Sequence, residues 1–200
     1  VRGSGVDIKK FIPVEECIGI PIVMLASRML WDKGVGEFVE AAKILKQEGV
    51  EARFVLVGDR DSENPTSIPN AQLSEWHELG IVEWWGERSN MCEVLTQAHI
   101  VCLPSYREGL PKVLLEAASC SRPIIATDVP GCREIVHNGK NGILVPIKNS
   151  NSLANAIKEL IDNPEKRKSM GINGRRLVES EFSEEIVVSQ TLKVYQELLA

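Results

Sequence analysis

The sequence predicts an α/β domain built on a parallel six-stranded sheet with helices on both faces. Three observations support this. Six short runs, most of them rich in β-branched residues, are apolar almost without interruption, as strands covered on both faces are. Helical apolar spacing recurs between them, and strand–helix alternation is the pattern of a parallel sheet. After Ile147 the strands stop and only helical periodicity continues.

Residues 21–27 (PIVMLAS) and 52–58 (ARFVLVG) are the first two strands. Between them, residues 36–48 carry Phe38, Val39, Ala42, Ile44 and Leu45 at helical spacing. Residues 59–74 hold Asn64, Pro65, Pro69 and Asn70 and read as one long loop, a length that is usually functional or mobile. Residues 81–86 form the third strand and 90–97 a helix; 99–105 form the fourth strand and 111–119 a helix. Residues 122–128 form the fifth strand, 131–136 a helix, and 142–147 the sixth strand. Trp84 and Trp85 are adjacent, so in an extended chain they point to opposite faces, and both read as packing residues. Three closing helices follow over 151–162, 164–180 and 183–199; Pro164 suits a helix start, and Ser183 with Glu185 a capped entry. The whole is a Rossmann-like sheet with a C-terminal helical extension.

Composition excludes several functions. Two hundred residues suit one domain with a full core, or at most two small ones. A 44% apolar fraction and a mean hydropathy of -0.07 describe an ordinary soluble globule. Net charge is -5 with acids and bases interspersed, so there is no basic stripe and no nucleic-acid partner is expected. The five cysteines form no C-x-x-C pair, and Cys102 and Cys120 sit in apolar runs; this is the usage of a reducing cytosol. No apolar run approaches the ~20 residues that span a bilayer. His77, His99 and His137 are scattered with no metal spacing, so no metal is expected.

Residues 105–116 (SYREGLPKVLLE) carry the densest chemistry. Glu108 and Glu116 flank a Gly109-Leu110-Pro111 turn that opens an apolar helix through Lys112 and Val113. Proline suits a first helical turn, where its missing N–H costs nothing. Glycine lets the backbone approach a ligand, and first-turn amides are free to meet phosphate. Eight helical residues rise about 12 Å. That span suits a ligand with a hydroxyl-rich ring at each end and a diphosphate between, such as a sugar nucleotide. The spacing alone also fits an ordinary helix with one acid before it and another on its solvent face.

Other candidates lie at strand ends, where doubly wound sheets bind ligands. Arg28 and Lys33 follow the first strand and set two positive charges beside a helix N-terminus, which suits a diphosphate; two solvated cations are the alternative. Gly58 ends the second strand, permitting close approach to a nucleotide or merely a tight turn. Gly86 and Arg88 follow the third. Gly131 lies in TDVPGCREIV (127–136), where a simple Pro-Gly turn competes with amides that face a ligand.

Residues 105–116 closely resemble the E-x7-E motif of the retaining, GT-B-fold glycosyltransferases of group 1. Residues 27–34 (SRMLWDKG) resemble that family's G-R-L-x-x-x-K-G segment, with Ser27 replacing the usual Gly. The resemblance runs from Gly3 to about Phe182. It implies the C-terminal half of a GT-B fold: residues 1–12 a linker, 13–182 a donor-binding domain, and 183–200 a helix crossing toward an N-terminal domain not included in the chain. It further implies that Glu108 contacts the donor sugar, that Gly109, Leu110, Pro111, Lys112 and Val113 meet sugar and phosphate, and that Glu116 holds the ribose hydroxyls. Arg28 and Lys33 would clamp the diphosphate, Gly86 and Arg88 would line the nucleobase pocket, and Gly58 would lie near the nucleotide. Catalytic roles fall on Glu108, Arg28 and Lys33, with no obligatory cofactor or metal.

The implied function is retaining transfer of a hexosyl or N-acetylhexosaminyl group from a nucleotide-diphosphate sugar, with UDP the expected nucleotide, to a lipid-linked saccharide or polysaccharide. Residues 58–69 (GDRDSENPTSIP) resemble a narrower group of bacterial enzymes that add N-acetylhexosamines or related sugars to lipid-linked saccharides. The acceptor is expected on the N-terminal domain, so this part alone is expected to bind donor without efficient transfer. The enzyme is expected to be cytoplasmic, peripheral to the inner face of the cytoplasmic membrane. The alternatives are a GT-B-fold sugar-nucleotide epimerase, a carbohydrate phosphorylase, which needs a pyridoxal phosphate lysine and a much longer chain, and a non-catalytic nucleotide-sugar-binding module.

Overall fold

A computed structural model describes residue 3 and residues 5–199. Val1, Arg2 and Ser4 of the expected linker and Ala200 of the last helix lie outside the described residues. Strands β1 (Ile22–Ala26), β2 (Arg53–Val57), β3 (Glu83–Trp84), β4 (Ile100–Leu103), β5 (Ile124–Thr127) and β6 (Gly142–Val145) form one sheet in the order β3-β2-β1-β4-β5-β6. Every adjacent pair is parallel. The helices are α1 (Val35–Gln47), α2 (Asn70–Glu78), α3 (Met91–Gln97), α4 (Lys112–Ser119), α5 (Pro130–Arg133), α6 (Ser150–Asp162), α7 (Pro164–Leu177) and α8 (Glu184–Leu199). The expected fold class is the observed one.

Period-two alternation divides the core into two layers. Met24, Val55, Val101 and Ile124 face one way, against Leu95, Leu114, Leu115, Ile135 and Phe182. Val23, Leu25, Phe54, Leu56 and Ile125 face the other, against Phe38, Leu45, Leu73, Leu153 and Ile157. Each such side chain contributes about 1.5–3 kcal/mol on full burial, so both helical layers are held by the same strands. Trp84 packs against the second layer and Trp85 against the first, as their adjacency requires.

The expected elements differ from the observed ones in four places. The loop read over 59–74 ends early, because α2 starts at Asn70. Only Leu73 and Trp76 of α2 are buried, three residues apart, too few to announce a helix beside Pro69. The third strand shrinks to two residues at the sheet edge, because the Ile81 and Val82 amides donate to Trp76 O instead. The helix expected over 131–136 stops at Arg133, although Ile135 and Val136 are still buried. The helix expected to end at Ser180 continues through a π turn, Val178–Phe182, which buries Val178 and Phe182.

The N-terminal segment is bound to this body. Val6 N donates to Phe182 O at 2.9 Å, and Glu184 N donates to Val6 O at 3.0 Å. Arg175 donates to the carbonyls of Ile8 and Phe11, and Ser119 Oγ to Phe11 O. Arg167, buried in α7, holds Glu16 through a bidentate pair at 2.7–3.1 Å. Ser183 Oγ accepts from Ile186 N at 3.4 Å at the start of α8. Among the described residues, no helix is long and apolar enough to cross a membrane.

Candidate functional site

Sheet order reverses between β1 and β4, and the crevice beyond their carboxyl ends is where such sheets bind ligands. A cleft of about 360 Å³ lies there, lined by residues that include Ser27, Arg28, Gly58, Arg60, Arg88, Met91, Val113 and Glu116. A second hollow of about 240 Å³ shares Ala26, Ser27, Arg28 and Val113 with it and adds Lys33, Glu108, Pro111 and Lys112. The two form one trough along the sheet's upper edge, with Glu116 toward one end and Glu108 toward the other.

Loops position Lys33 and Glu108. Past β1 the chain makes a 3-10 turn, Trp31–Lys33, and leaves it through Gly34 at φ 74. A Cβ at Gly34 would lie 2.1 Å from Pro104 O, so only glycine lets the β1 loop approach the β4 loop this closely. That approach brings Lys33 to Glu108, with Nζ 2.6 Å from Oε1. The loop before Glu108 is pinned by several bonds. Tyr106 N donates to Asp32 O at 2.9 Å, Ser105 Oγ donates to Asp32 O and Arg107 O at 3.2 Å, and Thr127 Oγ1 donates to Ser105 O. Tyr106 OH donates to Glu37 Oε1 at 2.6 Å; burial and this carboxylate push the phenol up, so it remains a donor.

Helix α4 begins at Lys112 with Pro111 as its N-cap residue, one position earlier than a first-turn proline would be. Leu114 N donates to Pro111 O at 3.0 Å, which leaves the amides of Lys112 and Val113 at the open end of the helix, and both residues line the trough. The buried face of α4, with Leu114, Leu115, Ala117 and Ala118, fixes that end against the sheet. Glu116 faces the cleft from the helix flank, and burial there raises its carboxyl above the ordinary range, against the pull of Lys112 and Lys10.

Arg28 also lines both parts of the trough, and its NH1 lies 2.6 Å from Asp61 Oδ2. Gly58 has φ 129, and a Cβ there would lie 1.9 Å from Ser27 O, so the tight-turn explanation of this glycine is sufficient. Gly58→Ala should therefore destabilise the fold by about 3 kcal/mol whether or not ligand is present. Denaturant titration of both proteins, with and without nucleotide, checks this; a Gly58→Ala midpoint equal to that of wild type would mean that the turn tolerates a side chain. Gly86 stands behind the cleft, its carbonyl accepting from Gly58 N at 2.8 Å, while Glu87 and Arg88 line it. Gly109 is exposed, and Leu110 packs against the first core layer.

The structure thus brings Arg28, Lys33, Gly58, Arg88, Glu108, Pro111, Lys112, Val113 and Glu116 to one trough. Arg60 and Met91 also line it and were not anticipated. Arg60 sits two residues past Gly58, and the strand-end rule alone would have found it; Met91 opens α3 with no distinguishing pattern. Asp61, the partner of Arg28, is 33 residues away in sequence. His99 serves the fold: its Nδ1 accepts from Ile22 N at 3.0 Å, and its Nε2 lies 2.9 Å from Cys17 O. A larger hollow of about 490 Å³, lined in part by Arg122 and Lys168, lies on the far side. There the buried Arg122 guanidinium donates to Val14 O and Thr96 O and staples loops together.

Parallel doubly wound topology, a trough at the switch point, cations beside a helix N-terminus and an acid toward each end define the nucleotide-binding half of a GT-B architecture. The chain belongs to the family described as Glycosyl transferases group 1, whose profile matches residues 18–177. It is 34% identical to the N,N'-diacetylbacillosaminyl-diphospho-undecaprenol alpha-1,3-N-acetylgalactosaminyltransferase of Campylobacter jejuni, over 100% of this chain and 54% of that protein. Among solved structures, a sucrose-phosphate synthase from Thermosynechococcus elongatus superposes with a TM-score of 0.87 at 27% identity, covering 99% of this chain and 52% of that one. The Anabaena protein HepE in complex with UDP superposes with a TM-score of 0.84 at 23% identity, over 96% of this chain and 56% of that one. The chain spans about half the length of the curated relatives it matches.

Proposed function

We propose that this chain is the donor-binding half of a retaining glycosyltransferase that transfers a hexosyl or N-acetylhexosaminyl group from a UDP-sugar to a lipid-linked saccharide or polysaccharide. The observation that carries this is the shared trough of Arg28, Lys33, Glu108 and Glu116 at the α4 N-terminus. The base lies near Arg88 and the turn at Gly86, with Gly58 beside the nucleotide; the ribose is on Glu116, the diphosphate on Arg28, Lys33 and the first amides of α4, and the hexose near Glu108 and Gly109. As the glycosidic bond breaks, negative charge grows on the leaving diphosphate. Fixed cations and helix-end amides stabilise that charge more in the transition state than in the ground state. UDP is favoured by the UDP complex of HepE, and the acceptor class by the diphospho-undecaprenol substrate in the name of the Campylobacter relative. No step in this scheme requires a metal.

The domain plan follows the same reading: 1–12 a linker, 13–182 the donor domain, and 183–200 a helix crossing to an N-terminal domain that carries the acceptor site at the membrane's inner face. Val188, Leu192, Tyr195 and Leu199 of α8 are exposed, an apolar stripe in need of cover. Without its partner domain the chain should self-associate weakly through this helix, since apolar patches of several hundred Å² drive association. Sedimentation velocity over a concentration series checks this; a constant monomer at millimolar concentration contradicts it.

The complete polypeptide with radiolabelled nucleotide sugars tests the function. Transfer to a lipid-linked saccharide with retained anomeric configuration is the expected result. Isomerised free donor would mean an epimerase, and binding without turnover a sensing module.

A further inference from the structure

We propose, resting on the reading of the trough as a donor site, that the Lys33–Glu108 ion pair makes this protein discriminate an intact nucleoside-diphosphate sugar from the nucleoside diphosphate left after transfer. Both cations assigned to the diphosphate are already held by carboxylates at 2.6 Å: Lys33 by Glu108 and Arg28 by Asp61. The two pairs differ in shelter. The Arg28 and Asp61 side chains are 60% and 30% exposed, those of Lys33 and Glu108 only 20% and 11%. An exposed pair contributes little, so Arg28 leaves Asp61 for a phosphate at small cost. A sheltered pair is different, because the partner left behind is a poorly hydrated charge.

A bare diphosphate that draws Lys33 away strands the Glu108 carboxylate beside new negative charge. The neighbouring Cys132 thiol cannot replace the lysine: it carries no positive charge, and kept protonated by burial and the Glu108 charge it offers at most a weak S–H donor. A hexose attached to the diphosphate changes the balance. Its hydroxyls donate to Glu108 what Lys33 gave, while Lys33 turns to the phosphate. Only a ligand with both parts satisfies both charges. Once the sugar has been transferred, the pair re-forms and the hold on the product weakens. Glu108 is thereby a specificity-determining residue as well as a sugar contact.

Calorimetric titration of UDP and UDP-N-acetylglucosamine into wild type, Glu108→Gln, Glu108→Ala and Asp61→Asn tests this. Both Glu108 variants should bind UDP about tenfold more tightly than wild type, equivalent to ~1.4 kcal/mol. The preference for UDP-sugar over UDP should fall with them. Asp61→Asn should change UDP affinity less than about twofold, since an exposed pair is worth little. Unchanged or weaker UDP binding by the Glu108 variants, with melting temperatures that show them folded, overturns this inference alone. An equal gain in Asp61→Asn also overturns it, because the gain would then come from removing any nearby negative charge. If no form of the chain binds UDP, the donor-site reading falls and this inference with it.

Discussion

Lys33→Ala should weaken UDP binding by about 2–3 kcal/mol, roughly 30- to 150-fold. Two losses combine. The charge-assisted bond to the diphosphate disappears, and Glu108 is left as a sheltered, unpaired carboxylate beside the phosphate site. The second loss can be isolated. Lys33→Ala combined with Glu108→Gln should recover part of the affinity, and a gain that differs from the roughly tenfold gain of Glu108→Gln alone measures the coupling of the two residues. Calorimetry on the four forms gives the coupling directly. Equal affinities for Lys33→Ala and wild type would remove Lys33 from the site.

Glu116→Ala should weaken UDP and UDP-sugar alike by about 1.5–3 kcal/mol, because both carry the ribose whose hydroxyls it accepts. The same carboxylate should cost the empty fold stability. Burial raises its pKa in the folded protein above the ordinary 4.5. A group raised in this way contributes fully below the unfolded value and loses its contribution as pH rises through the folded one. At neutral pH the ionised carboxylate is therefore disfavoured by the fold. Glu116→Gln should melt higher than wild type at pH 7 without ligand, and the gap should close below pH 4.5. Such an exchange of stability for binding is usual where a site needs a desolvated charge. A Glu116→Gln protein that melts lower than wild type at pH 7 would show that the carboxylate has a stabilising partner in the empty fold.

The sheet was legible because its signal is physical and local. Runs such as PIVMLAS and RPIIATD are short, β-branched and apolar throughout, which suits strands covered on both faces, and their strands fell where expected. Helix α2 was not legible, since it buries only Leu73 and Trp76 and presents polar residues elsewhere. Its start beside Pro69 and Asn70 looks like loop chemistry. The π turn after α7 left no trace either, because Val178 and Phe182, four residues apart, fit the spacing of an ordinary α-helix and nothing in the pattern marks the wider turn.

In the site, the residues were legible and their relations were not. Glu108 and Glu116 were visible through their fixed spacing about the Gly-Leu-Pro turn. That Glu108 holds Lys33, 75 residues away, depends on Gly34 meeting Pro104, a contact that no local pattern encodes. For the same reason Asp61 went unnoticed as the partner of Arg28. Gly58 carried a real signal, but the collision a side chain would make with Ser27 O gives it a structural cause.

Hydrogen–deuterium exchange with and without UDP tests the central claim most directly. If the trough at the β1–β4 switch point holds a nucleoside diphosphate, protection should appear at residues 27–33, 58–60 and 109–116, the segments that carry Arg28, Lys33, Arg60 and the first turn of α4. Binding that protects none of these, or protects only residues 13–16 and 121–122 around the far hollow by Arg122, would contradict the assignment.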